Sequence, residues 1–307
     1  MKFSVWPSPD RPWEDVRPLA EYADQHGYHC FWYADHFMPN TEDGSIKDGN
    51  VHEAWAVLAA VAAVTDRIRI GSLVSPTTVR HPAVIANVAT TIDRISNGRL
   101  TLGLGAGWQV NEHRAYGIEL FAGRERVDRF EEAIEIVRGL LSKSRTTFHG
   151  THFTVVDAPC QPTPVQDPLP LMVGTGGPRM TKITARWADE WNVWGTPETA
   201  REKVAALDSA CERVGRDPRS IRRSVQAMFF LVDDDATVEK LRKVAPADRS
   251  IIGSLTVIAD AIDAYRDLGF DEVIVPDFTL GASHAERIDK YERLRTEVFS
   301  HFRPPTG

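Results

Sequence analysis

Cysteine is scarce in this sequence, with three among 307 residues: Cys30, Cys160 and Cys211. They lie far apart, odd in number and without metal-ligand spacing, so they build neither a disulfide framework nor a zinc motif. They read as the reduced thiols of a cytoplasmic protein, two of them buried. Any apolar run long enough to span a bilayer is also missing. The first residues show no basic start followed by an apolar stretch, so no secretory signal is expected. No basic cluster stands out and the net charge is −7, which excludes nucleic acid and acidic membrane surfaces as main partners. Strong internal repeats and low-complexity tracts are absent too. What is present is 42% hydrophobic residues, enough for a large core in one α/β barrel or in two smaller domains.

Strand-like and helix-like stretches alternate from end to end. Short strands are expected over 3–6, 29–37, 68–74, 171–173, 191–194, 224–232 and 273–275. Another is centred on Leu100, Leu102 and Leu104, which alternate with Thr101 and Gly103. Helices are expected between them. One is the Ala-rich segment 54–64, and one opens on Pro82 and ends before Asn97-Gly98. In a third, Val127, Phe130, Ile134, Val137 and Leu141 recur three and four apart. Further helices cover 178–188, 197–214, 255–268 and 285–299. The rhythm breaks over 142–170, where five prolines exclude continuous regular structure. That segment reads as an insertion packed on the fold, with a hairpin near Gly150. About eight strand-helix repeats predict a single (β/α)8 barrel over residues 1–307 rather than an open doubly wound sheet.

In such a barrel ligands sit at the C-terminal strand ends. Here those ends carry Trp6, Asp35-His36, Ser72-Leu73-Val74, Gly105-Ala106-Gly107-Trp108, Thr175-Gly176-Gly177, Trp194 and Asp277. No lysine stands there for a Schiff base, and no carboxylate set or histidine cluster for a metal. Bare backbone between aromatic walls suits a planar cofactor that does the redox work itself. Small residues at 105–107 also fit a merely crowded barrel. Asp35-His36 is the sharpest polar pair: a histidine that hands over a proton, with a carboxylate fixing its tautomer. A structural histidine bonded to a loop is the competing reading. Thr175-Gly176-Gly177-Pro178 joins a strand to a helix, either as an anion site backed by Arg179 and Lys182 or as an ordinary turn. Gly103-x-Gly105-x-Gly107 has the wrong spacing for a dinucleotide fingerprint. His52, His81, His113 and His149 read as surface or hydrogen-bonded histidines.

With those residues in view, the chain resembles the luciferase-like monooxygenase superfamily, and within it the F420-dependent oxidoreductases. The carriers are Ala34-Asp35-His36-Phe37, Asp66 through Val74, Arg80-His81-Pro82-Ala83, Gly98-Arg99-Leu100 and Gly103 through Trp108. Glu112 through Gly117, Pro164-Val165-Gln166 and the segment from Gly176 to Asn192 complete the match. The resemblance implies a barrel, often dimeric, that holds coenzyme F420 at its C-terminal mouth. It implies a non-proline cis peptide at Leu73-Val74, backbone of Gly105 to Gly107 along the ring, and Gly176-Gly177 on the phosphate. His36 is then the acid/base or the substrate orienter. The sugar-phosphate dehydrogenases of this family have a Glu where Trp108 stands and a Trp where Asn40 stands, which argues against that sugar here. An FMN-dependent monooxygenase using reduced flavin and O₂ is the second reading, and a non-catalytic flavin-binding protein the third.

Overall fold

The computed structural model of the chain describes residues 1–174 and 176–302. Strand β1 (Lys2–Trp6) leads into helix α1 (Trp13–Gln25), and β2 (Cys30–Tyr33) into α2 (Ala54–Val64). β3 (Arg69–Ser72) and its short continuation β4 (Ser75–Pro76) precede α3 (Pro82–Ile95). β5 (Leu100–Gly105) is followed by a short α4 (Val110–Ala115) and the long α5 (Gly123–Ser142). An antiparallel hairpin of β6 (Thr146–His149) and β7 (Thr154–Ala158) then turns at Gly150. β8 (Leu171–Gly174), α6 (Pro178–Trp187), β9 (Glu190–Trp194) and α7 (Pro197–Arg213) restore the alternation. After β10 (Arg222–Gln226) come β11 (Met228–Leu231), α8 (Asp235–Arg242), β12 (Ser250–Gly253) and α9 (Leu255–Asp267). β13 (Glu272–Pro276) and α10 (His284–Glu297) end the series.

The strands pair in the order β3–β2–β1–β13–β10–β9–β8–β5, and β5 pairs back onto β3. Every one of these pairs is parallel. With β3 and β4 counted as one interrupted strand, this is a closed (β/α)8 barrel, as the alternation predicts. The interruption is the cis peptide bond between Leu73 and Val74.

Side chains alternate across each strand, and the two faces build different interiors. Phe3, Val5, Ile70, Leu100, Leu102, Leu104, Val225 and Val273 pack with the helices in the main core. Trp6, Cys30, Trp32, Leu73, Met172 and Ile274 form a second cluster that fills the barrel. Below them, at the N-terminal end, Glu272 accepts hydrogen bonds from Ser4 Oγ and from Trp32 Nε1, the latter at 2.8 Å. Burial, with Glu190 adding to it, pushes the Glu272 carboxyl up to about 7.

The expected strand 224–232 is two strands. The chain leaves the barrel at Ala227, and Met228 N–H turns to the carbonyl of Arg249, so β11 pairs with β12 outside the barrel. β12, α4 and α8 are not among the expected elements: α4 is too short to display a period, α8 buries no residue, and β12 has only two apolar residues. All three cysteines, rather than two, are buried, and all are free. Among the described residues no helix is long and apolar enough to cross a membrane.

Candidate active site

Asp35 and His36 follow β2 in extended chain, where successive side chains point opposite ways. Their paths diverge accordingly. Asp35 is buried and meets Arg80 in a two-point ion pair, Nη1 to Oδ2 at 2.6 Å and Nη2 to Oδ1 at 3.1 Å. Arg80 also holds Glu53, the residue that caps α2 by accepting the Ala56 N–H. Asp35 therefore ties the end of β2 to the start of α2, and it does not orient the imidazole. That task falls to Glu112 on α4, whose Oε1 lies 3.0 Å from His36 Nδ1. Its second oxygen accepts the Phe37 N–H at 2.8 Å. A carboxylate only accepts, so Nδ1 is the donor and Nε2 is the nitrogen left for chemistry. Glu112 is only 2% exposed, an inner support of the histidine.

α4 secures the segment after His36 as well. Gln109 donates to the Met38 carbonyl, and Asn111 to those of Pro39 and Ser45. His113 bridges the Gln109 carbonyl and Thr78 Oγ1 at 2.7 Å each. Sequence reasoning missed this helix, and with it the pairing of residues 36 and 112. The signal was there in Glu112 through Gly117, which the resemblance includes without a role for Glu112 beside His36.

Across the rim, β5 loses its side chains for a steric reason. A Cβ on Gly103 would collide with the Ser72 carbonyl, and one on Gly105 would come within 2.7 Å of a Val74 methyl. Gly174 approaches the same side chain, its Cβ position 3.2 Å from Val74 Cγ2. Val74 thus stands half-buried between two bare strand ends. Leu73 points into the barrel cluster. The Ser72 hydroxyl is spent on the Gly103 backbone, 2.8 Å from its carbonyl and 3.0 Å from its N–H, so it stitches β3 to β5 and does not line the mouth. Ala106 and Gly107 are half-buried; Gly107 has φ +88°. Trp108 is 57% exposed and stands edge-on to His36, ring centres 5.5 Å apart.

Gly176 and Gly177 lead into α6 with nothing within 4 Å of either Cβ position. Gly177 is the N-cap of that helix. Thr175 lies outside the described residues. Arg179 turns away to Asp128 on α5. On the far side of the mouth, Trp6 packs against Trp194 at 5.4 Å and Phe278 at 5.0 Å. Asp277 is buried, where it accepts the Ser8 N–H and the Arg11 guanidinium. Burial still lifts its carboxyl above the ordinary range.

A family model described as luciferase-like monooxygenase matches residues 1–268. Over 291 residues the chain is 33% identical to the F420-dependent glucose-6-phosphate dehydrogenase of Kineococcus radiotolerans, covering 83% of this chain and 85% of that one. It is 31% identical to the F420-dependent hydroxymycolic acid dehydrogenase of Mycobacterium tuberculosis, over 70% of this chain and 58% of the relative. A solved F420-dependent secondary alcohol dehydrogenase, in complex with an F420-acetone adduct, superposes with a TM-score of 0.82 over 99% of each chain. At 20% identity that likeness bears on the fold alone.

Proposed function

This chain belongs to the luciferase-like monooxygenase family, and from that premise we infer that it is an F420-dependent oxidoreductase. It moves a hydride between the deazaflavin and a small organic substrate. The observation that carries this reading is one imidazole, braced by a buried carboxylate, beside a rim stripped of side chains. The residues present fit a planar group. Val74 between Gly105 and Gly174 offers a flat apolar backstop, and the backbone of Gly105 to Gly107 an edge for the ring. Gly176 and Gly177 are the residues we assign to the phosphate end, at the start of α6, whose N-cap Gly177 makes no side-chain cap hydrogen bond; Thr175, outside the described residues, joins them on sequence alone.

When bound, the deazaflavin supplies a carbon centre that gives or takes a hydride. The protein supplies the proton. His36 Nε2 carries it, and Glu112 holds the ring and stabilises the imidazolium when it forms. Asp35 acts one step removed, by anchoring the turn that presents His36. The edge of Trp108 narrows the approach to the imidazole.

The chain is read as one barrel domain over 1–307, with 142–170 inserted, and as a cytoplasmic homodimer. Three buried free thiols fit a reducing compartment. α2 contains no charged residue, and its exposed Ala56 and Ala63 lie on a helix apolar all round, a pattern that belongs to buried helices. Val84 and Ile95 on neighbouring α3 are also exposed and extend the face. A second copy of the chain is the partner this face suits. Titrating the protein with F420 and with FMN, while following fluorescence quenching, tests the cofactor assignment: F420 binds and FMN competes poorly.

A further inference from the structure

Resting on the assignment of His36 above, we propose that His113 and Thr78 are positioning residues for the same reaction. The hydrogen bond between them holds α4 at the distance from which Glu112 grips the imidazole. Glu112 and His113 are neighbours on α4, and each is 2% exposed. About 100° separates successive side chains around a helix. The carboxylate therefore reaches His36 while the imidazole beside it reaches Thr78.

A helix of six residues does not keep its place through its own backbone bonds. Most of the side chains that leave it run to one stretch of chain. Gln109 donates to the carbonyl of Met38, Asn111 to those of Pro39 and Ser45, and Arg114 to that of Gly44. Glu112 itself holds residues 36 and 37. Residues 34–53 contain neither helix nor strand, so none of these bonds fixes α4 to the barrel. Among the described residues, the side-chain bond that ties α4 to the continuation of the third barrel strand is the one to Thr78.

Thr78 is a fixed point of reference. On one side of it the Thr77 N–H donates to the Gly105 carbonyl at 2.9 Å. On the other, Arg80 is locked in its ion pair with buried Asp35. Its own hydroxyl oxygen stands 2.6 Å from the Cβ position of Gly107, directly against the rim. The direction of the bond follows from its partners. A carbonyl only accepts, so His113 Nδ1 donates to Gln109, and Nε2 accepts the Thr78 O–H. Without that hydroxyl a buried imidazole nitrogen loses its donor, and α4 loses its tie to the strand.

The test reads the Nδ1–H proton of His36, by magnetic resonance on the full-length protein with its histidines labelled with heavy nitrogen. A proton shared with a carboxylate resonates far downfield and exchanges slowly with water, and His36→Ala shows which signal belongs to it. Thr78→Val keeps the shape of the side chain and removes the donor. In that variant the signal should move upfield, and its exchange with water should quicken about tenfold or more, the worth of one hydrogen bond. Thr78→Ser brings the hydroxyl back and should restore both. An unmoved signal in Thr78→Val overturns the proposal, even where the melting temperature falls, because the bond is then structural only. A signal that stays altered in Thr78→Ser overturns it too, by tracing the effect to lost packing. Should Thr78→Val not fold, Thr78→Cys keeps a weak donor in the same place, and the same shift at smaller size is required. The signal is read before F420 is added. A protein that F420 fails to quench therefore refutes the cofactor reading and leaves this result standing.

Discussion

His36 stands at the centre of the chemistry and Glu112 stands behind it, 3.0 Å from Nδ1. His36→Ala should leave F420 affinity within about tenfold and cut turnover by ~10²-fold or more, the scale of a lost acid/base group; stopped-flow turnover and a binding titration check both halves. At the other end of the barrel, Glu272 makes a prediction about stability. Its folded-state pKa is raised from 4.5 to about 7 by burial. The folded protein then holds this proton more tightly than the unfolded chain. Its contribution is full below pH 4.5 and is lost as pH rises towards 7, a fall on the order of 3 kcal/mol. Glu272→Gln should flatten that part of the stability profile in urea melts at pH 5 and pH 8; an unchanged slope would mean the carboxyl titrates normally. Sequence inspection found His36 but paired it with the neighbouring carboxylate, Asp35. Adjacency along an extended chain sends side chains apart, and the true partner comes from 76 positions away.

Among the elements, β5 shows why a strand sheds its side chains. Gly103 sits under the Ser72 carbonyl and Gly105 beside Val74, so their smallness is first a condition for packing the interrupted third strand. Gly103→Ala should cost about 1–3 kcal/mol by overpacking, read as a lowered urea midpoint with unchanged slope. An unaffected midpoint would show that the β3–β5 junction gives way easily. Long elements were legible. The bounds of α2 agree with the expectation from its Ala-rich run, and α3 opens on Pro82 as expected, with His81 Nδ1 accepting the Ala83 N–H as its cap. Short barrel strands such as β8 were legible as well, because each is a compact apolar run; the short elements outside the barrel were not. α4 spans six residues, too few to show a helical period, and β12 has two apolar residues flanked by Ser250 and Gly253, whereas β8 of equal length opens with three. The helix left unread is the one that carries Glu112, so the missing half of the site and the missing element are one omission.

At the scale of the whole molecule, the alternation of strands and helices specified a closed parallel barrel, and closure brings strand ends from distant positions to one mouth. The same closure leaves α2, which carries no charged residue, on the outside, with exposed Val84 on neighbouring α3. Ala63→Glu combined with Val84→Glu should convert a species sedimenting at the mass of two chains into one at the mass of a single chain, with the barrel's melting temperature little changed. A dimer that survives both charges must use another face. This mouth, poor in side chains and carrying one braced imidazole, is the place for a deazaflavin. Titration of the purified protein with F420, followed by fluorescence quenching, tests it most directly. Saturable one-to-one quenching that FMN displaces only at more than about tenfold higher concentration is the predicted result. No saturable quenching by F420, or tighter binding of FMN, would contradict it.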